Sequence, residues 1–152
     1  MDSILIALHL VAAALWVGGM FFAHQAQRPA ALDLDPPLRL GLWVRTFKRF
    51  FPWVWAFVII LPITGYAMLF SRYGGFGGAP VYIHIMQGFG WVMIVIFIKL
   101  YFLSFQRLKT AVAGQDFKSG ANHLATIRRW VGINLLIGVG VLAVASAGRF
   151  LI

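Results

Sequence analysis

The sequence predicts an all-α fold: an integral membrane, antiparallel four-helix bundle formed by one domain over residues 1–152. Three observations lead there. Apolar residues make up 61% of the chain and charged residues 11%, against about 45–50% and about 25% in soluble domains. Four apolar stretches each approach the roughly 20 residues that a helix needs to cross a bilayer core. The basic residues gather in alternate connections between those stretches, as expected of a chain that crosses back and forth. A soluble domain of this size could neither bury so much apolar surface nor coat it with so few charges.

The first span runs from about residue 4 to 26. Its start carries Asp2 and no Lys or Arg, and its apolar run exceeds the roughly 7–15 residues of a signal-peptide core, so it reads as a retained span. The segment 38–51 is amphipathic. Leu40, Trp43, Val44, Phe47 and Phe51 share one side at helical spacing, and Arg45, Lys48 and Arg49 the other. It is expected to lie along the inner membrane surface before Pro52 opens the second span, with a straight extension of that span as the alternative.

The second span covers about 51–70. The connection after it, Ser71–Ala79, reads SRYGGFGGA. Its glycines make a short flexible link. It lacks the Lys-Ser/Thr and the preceding strand of a phosphate-binding loop. The third span covers about 81–105 and the fourth about 130–147. Strand-like alternation, the mark of a membrane β-barrel, is absent.

The formal net charge is +9. Arg28, Arg39, Arg45, Lys48 and Arg49 lie between spans one and two, and Arg107, Lys109, Lys118, Arg128 and Arg129 between spans three and four. Only Arg72 and Arg149 lie at the opposite end. Positive-inside bias then puts both basic connections in the cytoplasm and both termini outside. Attraction to anionic headgroups accounts for the excess charge, with no nucleic acid partner required. There is no cysteine, which excludes disulfides, zinc–thiolate sites, iron–sulfur clusters and thiol catalysis. No Asp or Glu falls inside a span, so buried carboxylate acid–base pairs and proton relays are excluded too.

Spans one and three share a pattern. His9 precedes Trp16-Val17, and His84 precedes Trp91-Val92, each as H-x6-W-V. Seven residues are close to two helical turns, so His and Trp share a face in each span. Both spans run in the same direction, which sets the two imidazoles at similar depth in the outer half of the bilayer. An ionisable side chain inside a span marks a functional site by default. Two imidazoles at one depth offer nitrogen ligands to a metal or a haem iron. The alternative is that each bonds a backbone carbonyl or a water. Thr64, Tyr66 and Gln87 are candidate outer partners for an imidazole, and Asn134 for a bond between helices. Lys99 can extend toward the interface. His24 and His123 read as solvated boundary residues.

At these residues the sequence resembles a known family. HLVAAALWVGGMFF, beginning at His9, resembles the first helix of the copper-resistance protein D (CopD) membrane domain. The same four-span superfamily includes the HemJ-type protoporphyrinogen oxidases, which this chain is similar to at His9, Trp16, His84 and Asn134. Met86 and Leu135 stand where that second family has Lys and Glu, which makes CopD the nearer match. The resemblance covers most of the chain. It implies a multi-pass bundle in the bacterial inner (cytoplasmic) membrane, termini periplasmic, that binds haem b or handles copper through its span histidines.

Three functional readings follow. In the first, haem b sits between spans one and three with His9 and His84 as axial ligands and Trp16 and Trp91 as pocket walls. That arrangement suits electron transfer between a quinone and a periplasmic redox partner, as in a haem-dependent membrane oxidoreductase. In the second, His9, His84, Met68 and Met86 bind copper near the outer face for transport or delivery to a periplasmic copper partner, with Met20 further along a path. Copper(I) favours thioether and imidazole ligands. In the third, the protein is a cofactor-free membrane scaffold in contact with lipid.

Overall fold

The computed structural model describes residues 2–150, the side chain of Arg149 aside. Four long helices hold nearly all of them: α1 (Asp2–Ala31), α2 (Pro36–Tyr73), α3 (Val81–Ala113) and α4 (Phe117–Ala147). No strand occurs among the described residues. Every helix is long and apolar enough to cross a membrane, the shortest having 30 residues. At 1.5 Å per residue that is ~45 Å, against a bilayer core of about 30 Å. Only 17–28% of each helix's most apolar window is buried within the bundle. The remainder, including Leu15, Phe21, Ile59, Val95 and Leu136, faces outward. So large an apolar exterior is stable only in lipid, and the chain is a multi-pass membrane protein.

Local signals set the turns. Pro36 occupies the first turn of α2, where its missing N–H costs no hydrogen bond. Gly74 ends the same helix with φ +67°, a conformation that L side chains adopt at a cost. Gly74 N donates to Phe70 O at 3.2 Å and Gly75 N to Leu69 O at 3.4 Å, which closes the last turn. Asp116 precedes α4 and accepts from Ser119 N at 3.1 Å, capping the helix start. With links this short, consecutive helices run antiparallel. The principal pairings are α1 with α2 and α3 with α4, and α4 also packs on α1 and α2.

The segment 38–51 does not form a separate surface helix but takes the alternative arrangement, a straight extension of the second span. It is the first part of α2, which continues through Pro52 without a break. Its apolar side is occupied by protein: Leu40, Trp43, Phe47 and Phe51 are all buried in one core with Leu108, Leu124 and Ile127. The amphipathic pattern thus records packing against the far ends of α3 and α4. At this end, which holds both basic connections, the helices overrun the apolar spans and form a compact extension.

An aromatic cluster joins the extension to the spans. Phe51 stacks on Phe47 with centroids 4.9 Å apart. It meets Phe97 edge-on at 5.5 Å and Phe105 at 4.9 Å. Two further contacts join α3 to α4, and the second, from Asn134, is the bond between helices expected of it. Lys99 Nζ lies 5.7 Å from the Trp130 ring centroid, a cation–π contact near the basic end. Asn134 Nδ2 donates to Met93 O at 3.3 Å, linking α4 to α3. Helices α1 and α3 also both loosen into π-helical turns, at Ala23–Gln27 and Leu100–Phe105. That shared feature extends the resemblance between the first and third spans.

Candidate functional site

The end of the bundle opposite the basic connections holds Asp2 and the α2–α3 turn. An ion pair of 3.3 Å between Arg72 Nε and the Asp2 carboxylate ties the start of α1 to the end of α2 there. Both side chains are about two-fifths exposed, so the pair contributes little stability on its own. Beneath it a cavity of about 310 Å³ opens among the four helices. Its walls are mostly apolar, and Trp16, Met68, Met86 and Met93 all contribute to them. The size falls at the lower end of ligand pockets, about 300–1,000 Å³.

His9 stands in the cavity wall. Gly65 permits this: a Cβ at that position would lie 3.3 Å from His9 Cε1, so the imidazole rests close to the α2 backbone. His9 Nδ1 is 2.8 Å from Thr64 Oγ1. The Thr64 hydroxyl donates its one proton to Ile60 O, 2.7 Å away, so its oxygen is left to accept. With that proton on Ile60 O, the Thr64 oxygen accepts from His9 Nδ1, and this tautomer leaves the Nε2 lone pair for a ligand. A histidine held by one ring nitrogen with the other left bare is arranged as a metal ligand commonly is.

The expected pairing of His9 with His84 is not formed. His84 lies in the first turn of α3 on its exposed side, and it is not among the residues around the cavity. The two H-x6-W-V motifs consequently differ in role. Trp16 is 3% exposed and forms part of the cavity wall, whereas Trp91 reaches the cavity with 46% of its surface exposed. The cavity side of α3 runs through Ile83, Met86, Gln87 and Gly90, which leaves His84 and the half-exposed Trp91 at its margin. A shared motif fixes which residues share a face, and packing against neighbours decides where that face points. Met68 and Met86 do meet His9 around one cavity.

Tyr66 and Gln87 hydrogen-bond to each other and not to an imidazole. Tyr66 Oη accepts from Gln87 Nε2 at 2.6 Å and from Trp91 Nε1 at 3.0 Å. This junction ties α2 to α3 on the cavity wall. Met93 also reaches the cavity, a placement the sequence did not indicate, because a methionine at helical spacing is usually a core residue. Among the described residues no three His, Asp or Glu side chains group to hold a metal ion. A metal bound here would rely on thioether sulfur beside the one imidazole.

An all-helical, four-span membrane protein with an imidazole- and thioether-lined cavity at one end is the class that fold and site define. The family model for copper resistance protein D (CopD) matches residues 44–147, and the chain belongs to that family. The matched stretch includes Met68, His84, Met86, Trp91 and Asn134. It leaves out the part of the chain that carries His9 and Trp16. No curated protein and no solved structure matches the chain.

Proposed function

We propose that this CopD-family protein binds copper(I) in the cavity at the end of the bundle opposite its basic connections, for passage or delivery across the membrane. One observation carries the reading: His9, Met68 and Met86, on three different helices, line a single cavity. Thioether and imidazole donors suit copper(I), a soft and weakly hydrated ion. The mostly apolar walls would keep water from competing for it. Met93 extends the thioether lining. The family name supports an association with copper. Charge asymmetry supports a bacterial inner-membrane location with the cavity and both termini on the periplasmic side.

Haem b held between His9 and His84 does not fit the residues present, because only His9 reaches the cavity.

The test is an anaerobic titration of the purified protein with copper(I) against a chromogenic chelator. One copper(I) per chain is expected for the wild type. His9→Ala, and Met68→Leu combined with Met86→Leu, should each weaken binding by more than the ~10–100-fold that losing an outer partner of a ligand costs. Wild-type protein that leaves all copper with the chelator overturns the reading. So does a purified protein with a Soret band that vanishes in both His9→Ala and His84→Ala.

A further inference from the structure

The opposite end of the bundle carries a second, chemically different feature. Helix α1 loosens into its π-turn at Ala23–Gln27, and the half-buried His24 lies in that turn. Such turns recur at functional sites. The imidazole lies against Gly132 of α4, where a Cβ would come within 3.0 Å of Nε2. His24 Nδ1 is buried and has no hydrogen-bond partner, and the same holds for Arg128 Nε on α4. Both residues line one small cleft of about 20 Å³, together with Arg28, Trp43 and Phe47.

A buried donor left unmade costs about 1–3 kcal/mol, and more when it is charged. Arg128 Nε is such a donor, and His24 Nδ1 joins it in the tautomer that carries its proton there, so the cleft suits an acceptor. The surrounding charge gives the sign of that acceptor. The charges that act on Arg128 are those of Arg28 and Arg39, both cations. Among the described residues no carboxylate pairs with any of the three, the one ion pair being Arg72 with Asp2. The cleft admits a single oxygen atom, and Arg28 is exposed at its edge, where the rest of an anion would project.

We propose that His24, Arg28 and Arg128 form a binding site for a phosphate-type oxyanion. One oxygen enters the cleft and accepts from Arg128 Nε and His24 Nδ1, while Arg28 covers the remaining charge. Imidazole and guanidinium fit a phosphate with short, charge-assisted bonds. The site lies where the apolar spans give way to the basic extension, so the phosphate can belong to a phospholipid headgroup or to a small soluble phosphate. A water in the cleft would satisfy the two nitrogens but would leave three guanidinium groups without a counter-charge.

The test measures the thermal midpoint of the detergent-purified full chain in separate titrations. These use inorganic phosphate, phosphatidylglycerol, phosphatidylcholine, and sodium chloride at matched ionic strength. A saturable rise with inorganic phosphate assigns a soluble ligand. A rise confined to the phospholipids assigns a headgroup. In either case Arg128→Gln should weaken the half-saturating concentration by at least about tenfold, the scale of one charge-assisted bond. Arg28→Gln, an exposed position that leaves the core intact, gives the same reading should Arg128→Gln fail to fold. Arg45→Gln, an exposed cation at the same end, should leave the titration unchanged. The proposal is overturned if no phosphate carrier gives a saturable rise. It is equally overturned if Arg45→Gln reduces the response as much as Arg28→Gln does, since the effect is then diffuse charge alone.

Discussion

His9 on α1 and Thr64 on α2 are joined by a 2.8 Å hydrogen bond, and the bond holds the imidazole by its Nδ1. With its proton on Ile60 O of its own helix, Thr64 accepts from His9. Removing the hydroxyl while keeping the shape should release the ring. Thr64→Val is expected to lower copper(I) affinity by about 10–100-fold, as loss of a ligand's outer partner does. Thr64→Ser should retain near wild-type affinity. Chelator competition on the two variants side by side checks this, and a Thr64→Val protein that binds as tightly as Thr64→Ser contradicts it.

His84 offers the complementary test. It is exposed on α3 and apart from the cavity, so His84→Ala should change copper(I) affinity by no more than ~2-fold, as independent sites do. The same titration decides. A loss in His84→Ala as large as that in His9→Ala means that the two rings act on one ion after all, through a second copy of the chain or another arrangement of α3.

The bundle itself was legible from composition and charge because lipid imposes simple rules: spans of a minimum length, and cations on one side. Thr64 as a partner for an imidazole and Asn134 as a bridge between helices were legible too, since polar groups in an apolar span have few places to go. Two readings failed for one shared reason. Periodicity reveals a face but not its neighbour. The stripe Leu40–Phe51 looked like a lipid-facing surface and is a protein interface. The faces of His9 and His84 looked equivalent, and only one of them turns inward. The cleft at His24 was hidden because a π-turn shifts the helical register at that point, and a regular 3.6-residue count does not foresee the shift.

Close approach of α1 and α4 beneath the cavity depends on Gly138. A Cβ there would lie 2.8 Å from Val17 Cγ2 and 3.1 Å from Met93 Cε. Met93 can yield, being flexible, but the branched Val17 on α1 has less freedom. Gly138→Ala is expected to destabilise the bundle by about 1–3 kcal/mol, as overpacking does. Gly140 is the control, since nothing lies within 4 Å of a Cβ at that position. Gly140→Ala should be neutral or stabilising by about 0.5–1 kcal/mol, from the better helix propensity of alanine. Thermal unfolding in one detergent ranks the pair, and equal midpoints refute the contact.

The extension at the basic end makes a final prediction about Leu40. Were the segment 38–51 lying on a lipid surface, truncating one of its leucines would remove only a little lipid contact and leave the fold intact. In the structure Leu40 is 1% exposed and packs over Gly120 of α4, its Cδ1 3.2 Å from where a Cβ would stand. Leu40→Ala should then leave a cavity and cost about 2–5 kcal/mol, the range for buried leucine truncations. Leu38, exposed on the same helix, should tolerate the same change within ±0.5 kcal/mol, as surface positions do. Chemical unfolding in mild detergent separates the two outcomes. Hydrogen exchange locates the effect: the amides of the α2 start and of Phe117–Leu124 should lose protection together in Leu40→Ala, because one packed layer holds both. Loss confined to α2 would mean that the two segments do not support each other, and that the extension is no part of the folded bundle.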